Sequence, residues 1–266
     1  MKRMIILAML ALAPVLAAAD NSTNVSFSIS PPPVGFVDPY FEDHSNTKNS
    51  AAINLEYMGI SSSSFNLNNF TLNYSESMLK AGPGILYANV GGFYGAGTIN
   101  MGAGWSDIPL TSFGMMLGMD YVARVYSTDG FKIFLAPGLD GNLSMMSFTM
   151  NNFPEYFDFV NLVEVYGSVT GSSMIIGLTP KISLQANWKP INELEIIPFV
   201  TYSINMNDTE TFVYTSDTEQ DLAYTSINFG LEAVFFDSFL LSSMVQFLNN
   251  GSNTKIITLN LSIPVK

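Results

Sequence analysis

Residues 171–206 read GSSMIIGLTPKISLQANWKPINELEIIPFVTYSINM. From Met174 to Trp188 the even positions are Met174, Ile176, Leu178, Pro180, Ile182, Leu184, Ala186 and Trp188, an almost wholly apolar set. The odd positions, Ile175, Gly177, Thr179, Lys181, Ser183, Gln185 and Asn187, are mostly polar. A short turn at Lys189–Asn192 follows. Leu194, Ile196, Val200, Tyr202, Ile204 and Met206 then take one face, and Glu193, Glu195, Thr201, Ser203 and Asn205 the other. Side chains alternate across a strand, so each segment has one greasy and one wet side. A strand crosses a bilayer in roughly 9–11 residues, and both segments are long enough. The stretch predicts a membrane-spanning β-hairpin.

The start of the chain agrees with an exported protein. Lys2 and Arg3 precede a short apolar run, Ile5–Leu16, and Ala17-Ala18-Ala19 offers a small-residue cleavage site, so 1–19 is expected to be a signal peptide. The apolar run is shorter than the roughly 20 residues of a transmembrane helix. The 266 residues include no Cys, which excludes a disulfide framework and thiolate chemistry. Without Lys2 and Arg3, 8 of the 10 basic residues remain against 22 acidic ones, a net charge of −14. Nucleic acid, which needs a basic surface, is therefore not an expected partner. Charged residues are only 12 % of the chain, against roughly 25 % in a typical soluble domain. The longest charge-free stretch, Ala81–Ser106, holds eight glycines and would make a poor helix. An apolar chain without helices has one way to span a bilayer, a closed barrel in which every backbone group bonds to a neighbouring strand.

Residues 20–50 differ. Pro31-Pro32-Pro33, Asp38-Pro39 and Glu42-Asp43-His44 mark an irregular, Pro-rich N-terminal arm, with Val25–Ile29 able to form a short strand. From 51 to 266 the pattern predicts an all-β, antiparallel up-and-down transmembrane barrel of ten strands, within two either way. The expected strands are 51–60, 65–74, 83–98, 112–126, 131–147, the two of the hairpin, 222–236, 239–249 and 255–265. A slip of phase between Leu67 and Phe70 fits a bulge.

The connections form two classes. Ser75–Lys80, Ser127–Gly130, Lys189–Asn192 and Asp237-Ser238 are short and would share one end; the long 99–111, 148–171 and 207–221 would share the other, together with the short 61–64 and 250–254. Tyr126, Phe131, Trp188, Phe235, Phe236 and Phe239 gather beside the short turns, as in an interfacial aromatic girdle. In these features the chain resembles the bacterial outer-membrane β-barrel proteins, the small porin-like or OmpA-like class. The resemblance implies insertion into the outer membrane after cleavage near Ala19, lipid as the surrounding partner, and small solutes or ions as candidate cargo. The chain ends Ser262-Ile263-Pro264-Val265-Lys266, where many members of that class end in an aromatic residue.

No catalytic, cofactor or metal site is expected. The one His, His44, lies in the Pro-rich arm, and a hydroxyl nucleophile needs a base within hydrogen-bond reach. A chain with one His and no Cys lacks the usual transition-metal ligands. Gly91-Gly92-Phe93-Tyr94-Gly95-Ala96-Gly97 has neither the dinucleotide spacing nor a Gly-Lys-Ser/Thr ending, and is read as glycines that thin a barrel wall. The segment 207–221, with Asp208, Glu210, Asp217, Glu219 and Asp221, lacks the ordered spacing of a calcium loop and is read as a solvated acidic loop. Asn69-Phe70-Thr71 and Asn260-Leu261-Ser262 match the glycosylation sequon but fall inside strands.

The charged residues expected to face the lumen are Glu56, Asp120, Arg124, Lys132, Asp140, Lys181, Glu193, Glu195 and Glu232. Asp120 and Arg124 stand four apart on one strand, so their partners are expected on neighbouring strands. The sequence thus points to a non-catalytic barrel with a structural, surface-interaction or narrow-pore role. The rivals are a selective small-solute channel through the charged lumen and a secreted soluble β-sandwich or adhesin, whose apolar faces would pack against each other.

Overall fold

The computed structural model describes residues 15–18, 25–28, 51–61, 65–99, 107–158, 163–213, 216–235, 239–249 and 255–265, with side chains described over 51–61, 66–99, 107–149, 171–208, 223–235, 240–248, 256–263 and at 265. Every element among them is a strand: β1 (Val15–Ala18), β2 (Val25–Ser28), β3 (Ala51–Ser61), β4 (Phe65–Ala81), β5 (Gly84–Ile99), β6 (Ile108–Thr128), β7 (Phe131–Asp158), β8 (Val163–Ile191), β9 (Leu194–Val213), β10 (Ser216–Phe235), β11 (Phe239–Asn249) and β12 (Lys255–Val265). Strands β3 to β12 form one closed antiparallel barrel in chain order, sealed where β12 pairs with β3 from Lys255↔Ser61 to Val265↔Ala51. The expected ten-stranded up-and-down barrel is therefore the fold. Strands β1 and β2 make a separate two-stranded sheet, the first within the expected signal peptide and the second in the arm. The cleavage position at Ala19 and most of the arm, 29–50, lie outside the described residues, as does His44.

The barrel is inside out relative to a water-soluble domain. Large apolar side chains face outward along every barrel strand, among them Leu55, Phe70, Tyr94, Phe113, Met115, Leu117, Met119, Leu143, Ile176, Leu184, Phe229 and Leu259. The buried set is dominated by Asn, Ser, Thr, Gln and a few charged residues. Turned outward over a closed wall whose strands pack face to face on no other barrel strand, that apolar surface is matched by hydrocarbon, not water. The face-to-face packing of a soluble sandwich is absent from the described strands.

Tight turns set one end of the barrel. Gly82-Pro83, Asp129-Gly130 and Asn192-Glu193 each close a hairpin with two residues, between Ala81↔Gly84, Thr128↔Phe131 and Ile191↔Leu194. Gly82 and Gly130 take positive φ, 59° and 81°, a backbone state other residues enter at a cost. Tyr126 and Phe131 meet edge-on beside one of these turns, with ring centroids 6.4 Å apart, and Trp188 lies opposite Phe131 with half its surface outward. Tyr126, Phe131 and Trp188 of the expected aromatic girdle stand together at this end, while Phe236 and the side chain of Phe239 lie outside the described residues.

Three local expectations change. The Ser75–Lys80 turn is strand, and the chain reverses later at Gly82-Pro83. The bulge expected between Leu67 and Phe70 is absent, because pairing there is continuous on both sides; Leu67 points inward and the phase break is one of side-chain type only. An irregularity does occur in β4, between Ser77 and Leu79. The segments expected as loops, 148–171 and 207–221, are largely strand. Beyond Phe148, paired with Leu110, and Gly171, paired with Val213, the β7–β8 hairpin continues to Asp158↔Val163 without a third strand. That is ten residues of two-stranded ribbon, roughly 30 Å along the strand.

Candidate functional site: an ion cluster in the lumen

Two short motifs repeat on neighbouring strands. Gly118-Met119-Asp120 on β6 runs antiparallel to Gly138-Leu139-Asp140 on β7, and the register pairs Gly118 with Asp140 and Asp120 with Gly138. Each Asp thus lies across from the other strand's Gly, and both carboxylates point into the lumen. Lys181 on β8 is opposite Gly138. Its backbone is two strand spacings, roughly 10 Å, from that of Asp120. The side chain passes over Gly138 and places Nζ 3.1 Å from Asp120 Oδ1 and 2.9 Å from Asp140 Oδ2. Asn89 on β5 donates from Nδ2 to Asp120 Oδ2 at 2.8 Å.

The glycines make this possible. A methyl at Gly138 would collide with the Asp120 carboxylate and stand 2.7 Å from Lys181 Cε. A methyl at Gly118 would strike the Asp140 carboxylate. All three ionic residues are buried, so their mutual attraction acts in a low dielectric and is set against the cost of removing three charges from water. Gly138→Val is expected to cost about 1–3 kcal/mol through overpacking. Gly141→Ala, where a methyl would meet only backbone oxygens at 3.9 and 4.0 Å, is expected to be near neutral. Urea unfolding of the two variants in the same lipid checks the difference.

Layers of apolar side chains lie above and below the cluster. Towards the turn end, Tyr87, Val122, Phe134 and Ala136 pack inside the wall, with Ile197, Val234 and Leu240 across the lumen. Towards the far end, Ile256, Ile60 and Leu67 stand side by side on β12, β3 and β4, all almost wholly buried. Between them run hydroxyl and amide pairs, including Ser183 with Thr201 at 2.8 Å, Ser203 with Ser226 at 2.6 Å, and Asn69 accepting from Ser112 at 3.1 Å.

The nine charged residues expected in the lumen divide accordingly. Asp120, Asp140 and Lys181 come together. Glu56, Glu195 and Glu232 are buried on the inward face, Glu195 accepting from Asn187 Nδ2 at 2.8 Å. Lys132 is half-buried at the start of β7, opposite Asn187, and Arg124 is exposed near the end of β6, beside a register irregularity. Glu193 is a correction: it occupies the tight turn after β8 and is exposed, because the strand phase begins one residue later, at Leu194. The site residues that sequence reading passed over are Asn89, Gly118 and Gly138. Their signal was the Gly-x-Asp repeat, which gains meaning only when the two copies face each other.

No protein-family model matches the chain, and no curated protein matches it in sequence. Solved structures do share its fold. The outer membrane protease OmpT from Escherichia coli aligns over 82 % of this chain and 95 % of its own, with a TM-score of 0.50 and 8 % identity. The translocator domain of autotransporter NalP from Neisseria meningitidis aligns over 84 % and 90 %, with a TM-score of 0.51 and 9 % identity. Closed barrel, outward apolar face and these neighbours together define the class of fold: it is that of the bacterial outer-membrane β-barrels, with a wall built to face hydrocarbon. One neighbour is named a protease and the other a translocator, so the fold by itself assigns neither activity.

Proposed function

We propose that this barrel is non-catalytic and sealed, with a structural and surface-interaction role in the outer membrane. The observation that carries the reading is the filled lumen. Lys181 reaches across Gly138 to two carboxylates, with the Tyr87–Val122–Phe134–Ala136 layer on one side and Ile256, Ile60 and Leu67 on the other. Small barrels are filled by side chains in this way, while wide aqueous channels belong to barrels of 16–18 strands. The chain's only His, His44, precedes the barrel strands, so the strands themselves supply no imidazole base for their Ser and Thr hydroxyls. With the tight turns in the periplasm, the β7–β8 ribbon projects outward as the element that meets the surroundings. Reconstituted in a planar bilayer, the protein is expected to show no steady conductance above that of the lipid. A stable, ohmic, pore-sized conductance would overturn the sealed reading.

A second reading, a selective channel for small cationic solutes, has one observation in its favour. Among the described residues five carboxylates, Glu56, Asp120, Asp140, Glu195 and Glu232, are buried on the inward face against a single buried cation, Lys181. In the same bilayer experiment a cation-selective conductance that falls in Glu232→Gln would establish it.

A further inference from the structure

The geometry points to a binding site for a hard monovalent cation, sodium or potassium, on the lumen wall around Glu56. Glu56 sits on β3 with Asn260 of β12 directly opposite on one side and Thr71 of β4 directly opposite on the other. Its diagonal neighbours, two residues along the same partner strands, are Thr258 and Asn73. Directly opposite side chains on one face lie about 5 Å apart and diagonal ones about 7–8 Å, so a small ligand at the Glu56 carboxylate is within reach of Asn260 and of either Asn73 or Thr258, which lie on opposite sides of it along the strands. Among the described residues, four oxygens in this set have no hydrogen-bond partner: Glu56 Oε1, Asn73 Oδ1, Thr258 Oγ1 and Asn260 Oδ1. All four residues are almost fully buried, none more than 8 % exposed. A buried carboxylate and buried carbonyl oxygens without donors are costly, and an unpaired charge more so.

The chemistry of the set selects the ligand. It holds acceptor oxygens and one formal negative charge, with Lys181 committed to Asp120 and Asp140 on the other wall. Hard cations take oxygen ligands, and divalent sites gather several carboxylates. One carboxylate, with the Asn260 carbonyl oxygen and one further neutral oxygen from Asn73 or Thr258, balances a single positive charge. The far end of this wall is closed by Ile60, Leu67 and Ile256. Towards the turns the neighbours are polar: Asn54 donates to Ser75 Oγ at 3.1 Å and accepts from Ser262, so a cation would arrive from that side.

The site needs only the barrel described, but its place in a closed lumen rests on the sealed reading. The test is thermal unfolding of the detergent-solubilised full-length barrel in sodium chloride and in N-methyl-D-glucamine chloride at equal concentration. With sodium about tenfold above its dissociation constant, the midpoint is expected to rise by about 3 °C or more. The rise is expected to vanish in Glu56→Gln, and to shrink in Asn260→Ala if the first variant does not fold. Equal midpoints in the two salts for the wild type would overturn the site. So would a sodium response that survives Glu56→Gln, a response to calcium alone, or a protonated-carboxyl infrared band in sodium that Glu56→Gln abolishes. Conductance is measured separately, so a failed site and a failed seal give different results.

Discussion

Replacing Lys181 with Met is expected to lower the free energy of unfolding by about 3–5 kcal/mol, the usual cost of leaving a buried charge without its partner. The side chain lies within 4 Å of both Asp120 and Asp140, and both carboxylates are almost fully buried, 4 % and 5 % exposed. Met fills a similar volume, so packing over Gly138 is largely kept and the loss is electrostatic. Adding Asp120→Asn and Asp140→Asn to Lys181→Met removes the stranded charges and is expected to restore most of the stability. The difference between the single and triple variants measures the coupling within the cluster. Urea unfolding in lipid vesicles, followed by the fluorescence of the two tryptophans, reads both. A single-variant loss under about 1 kcal/mol would mean that the ionic cluster is not what holds the lumen.

The second large effect lies on the other side of the wall. Leu117 is at the middle of the outward apolar run Phe113, Met115, Leu117, Met119 and Tyr121 on β6, and it is 64 % exposed. On a water-facing surface Leu117→Arg would change stability by no more than about 0.5 kcal/mol. At the midplane of a bilayer the same change costs about 2–4 kcal/mol, falling to about 0–1 near the interface. Thr128→Arg, beside the Asp129-Gly130 turn, is the interfacial control. A large loss at 117 and a small one at 128 is the expected result. Equal small losses would mean that water, not hydrocarbon, touches the wall.

Legibility in the sequence followed what each face of a strand touches. The hairpin of β8 and β9 was readable because lipid lies on one side and a polar lumen on the other, so chemistry alternates with period two. The last two strands, 239–249 and 255–265, appear with the bounds their pattern implied. The glycine-rich β5 showed no polar face, and the structure gives the reason. Its inward positions alternate in size, Tyr87, Asn89, Gly91, Phe93 and Gly95, and a methyl at Gly95 would strike Asn69 and Ser112 from the neighbouring strands. The outer parts of β7 to β10 were read as loops because the lipid stops there, and the apolar half of the alternation stops with it. The lumen cluster was legible as residue types but not as a constellation. Lys181 meets Asp120 across 61 positions of sequence and two strands, and register is a property of the sheet, not of any one segment.

Closure of the wall between β12 and β3 joins residues about 200 positions apart, Val265 with Ala51 at one extreme. Until the last strand arrives, the nascent sheet has two open edges and an apolar outer face, the features that drive strand-to-strand aggregation in water. Contacts of such long range also slow folding. Biogenesis of this chain therefore hinges on its final eleven-residue strand: everything synthesised before it has to be kept apart from itself and delivered to a bilayer before the cylinder can exist.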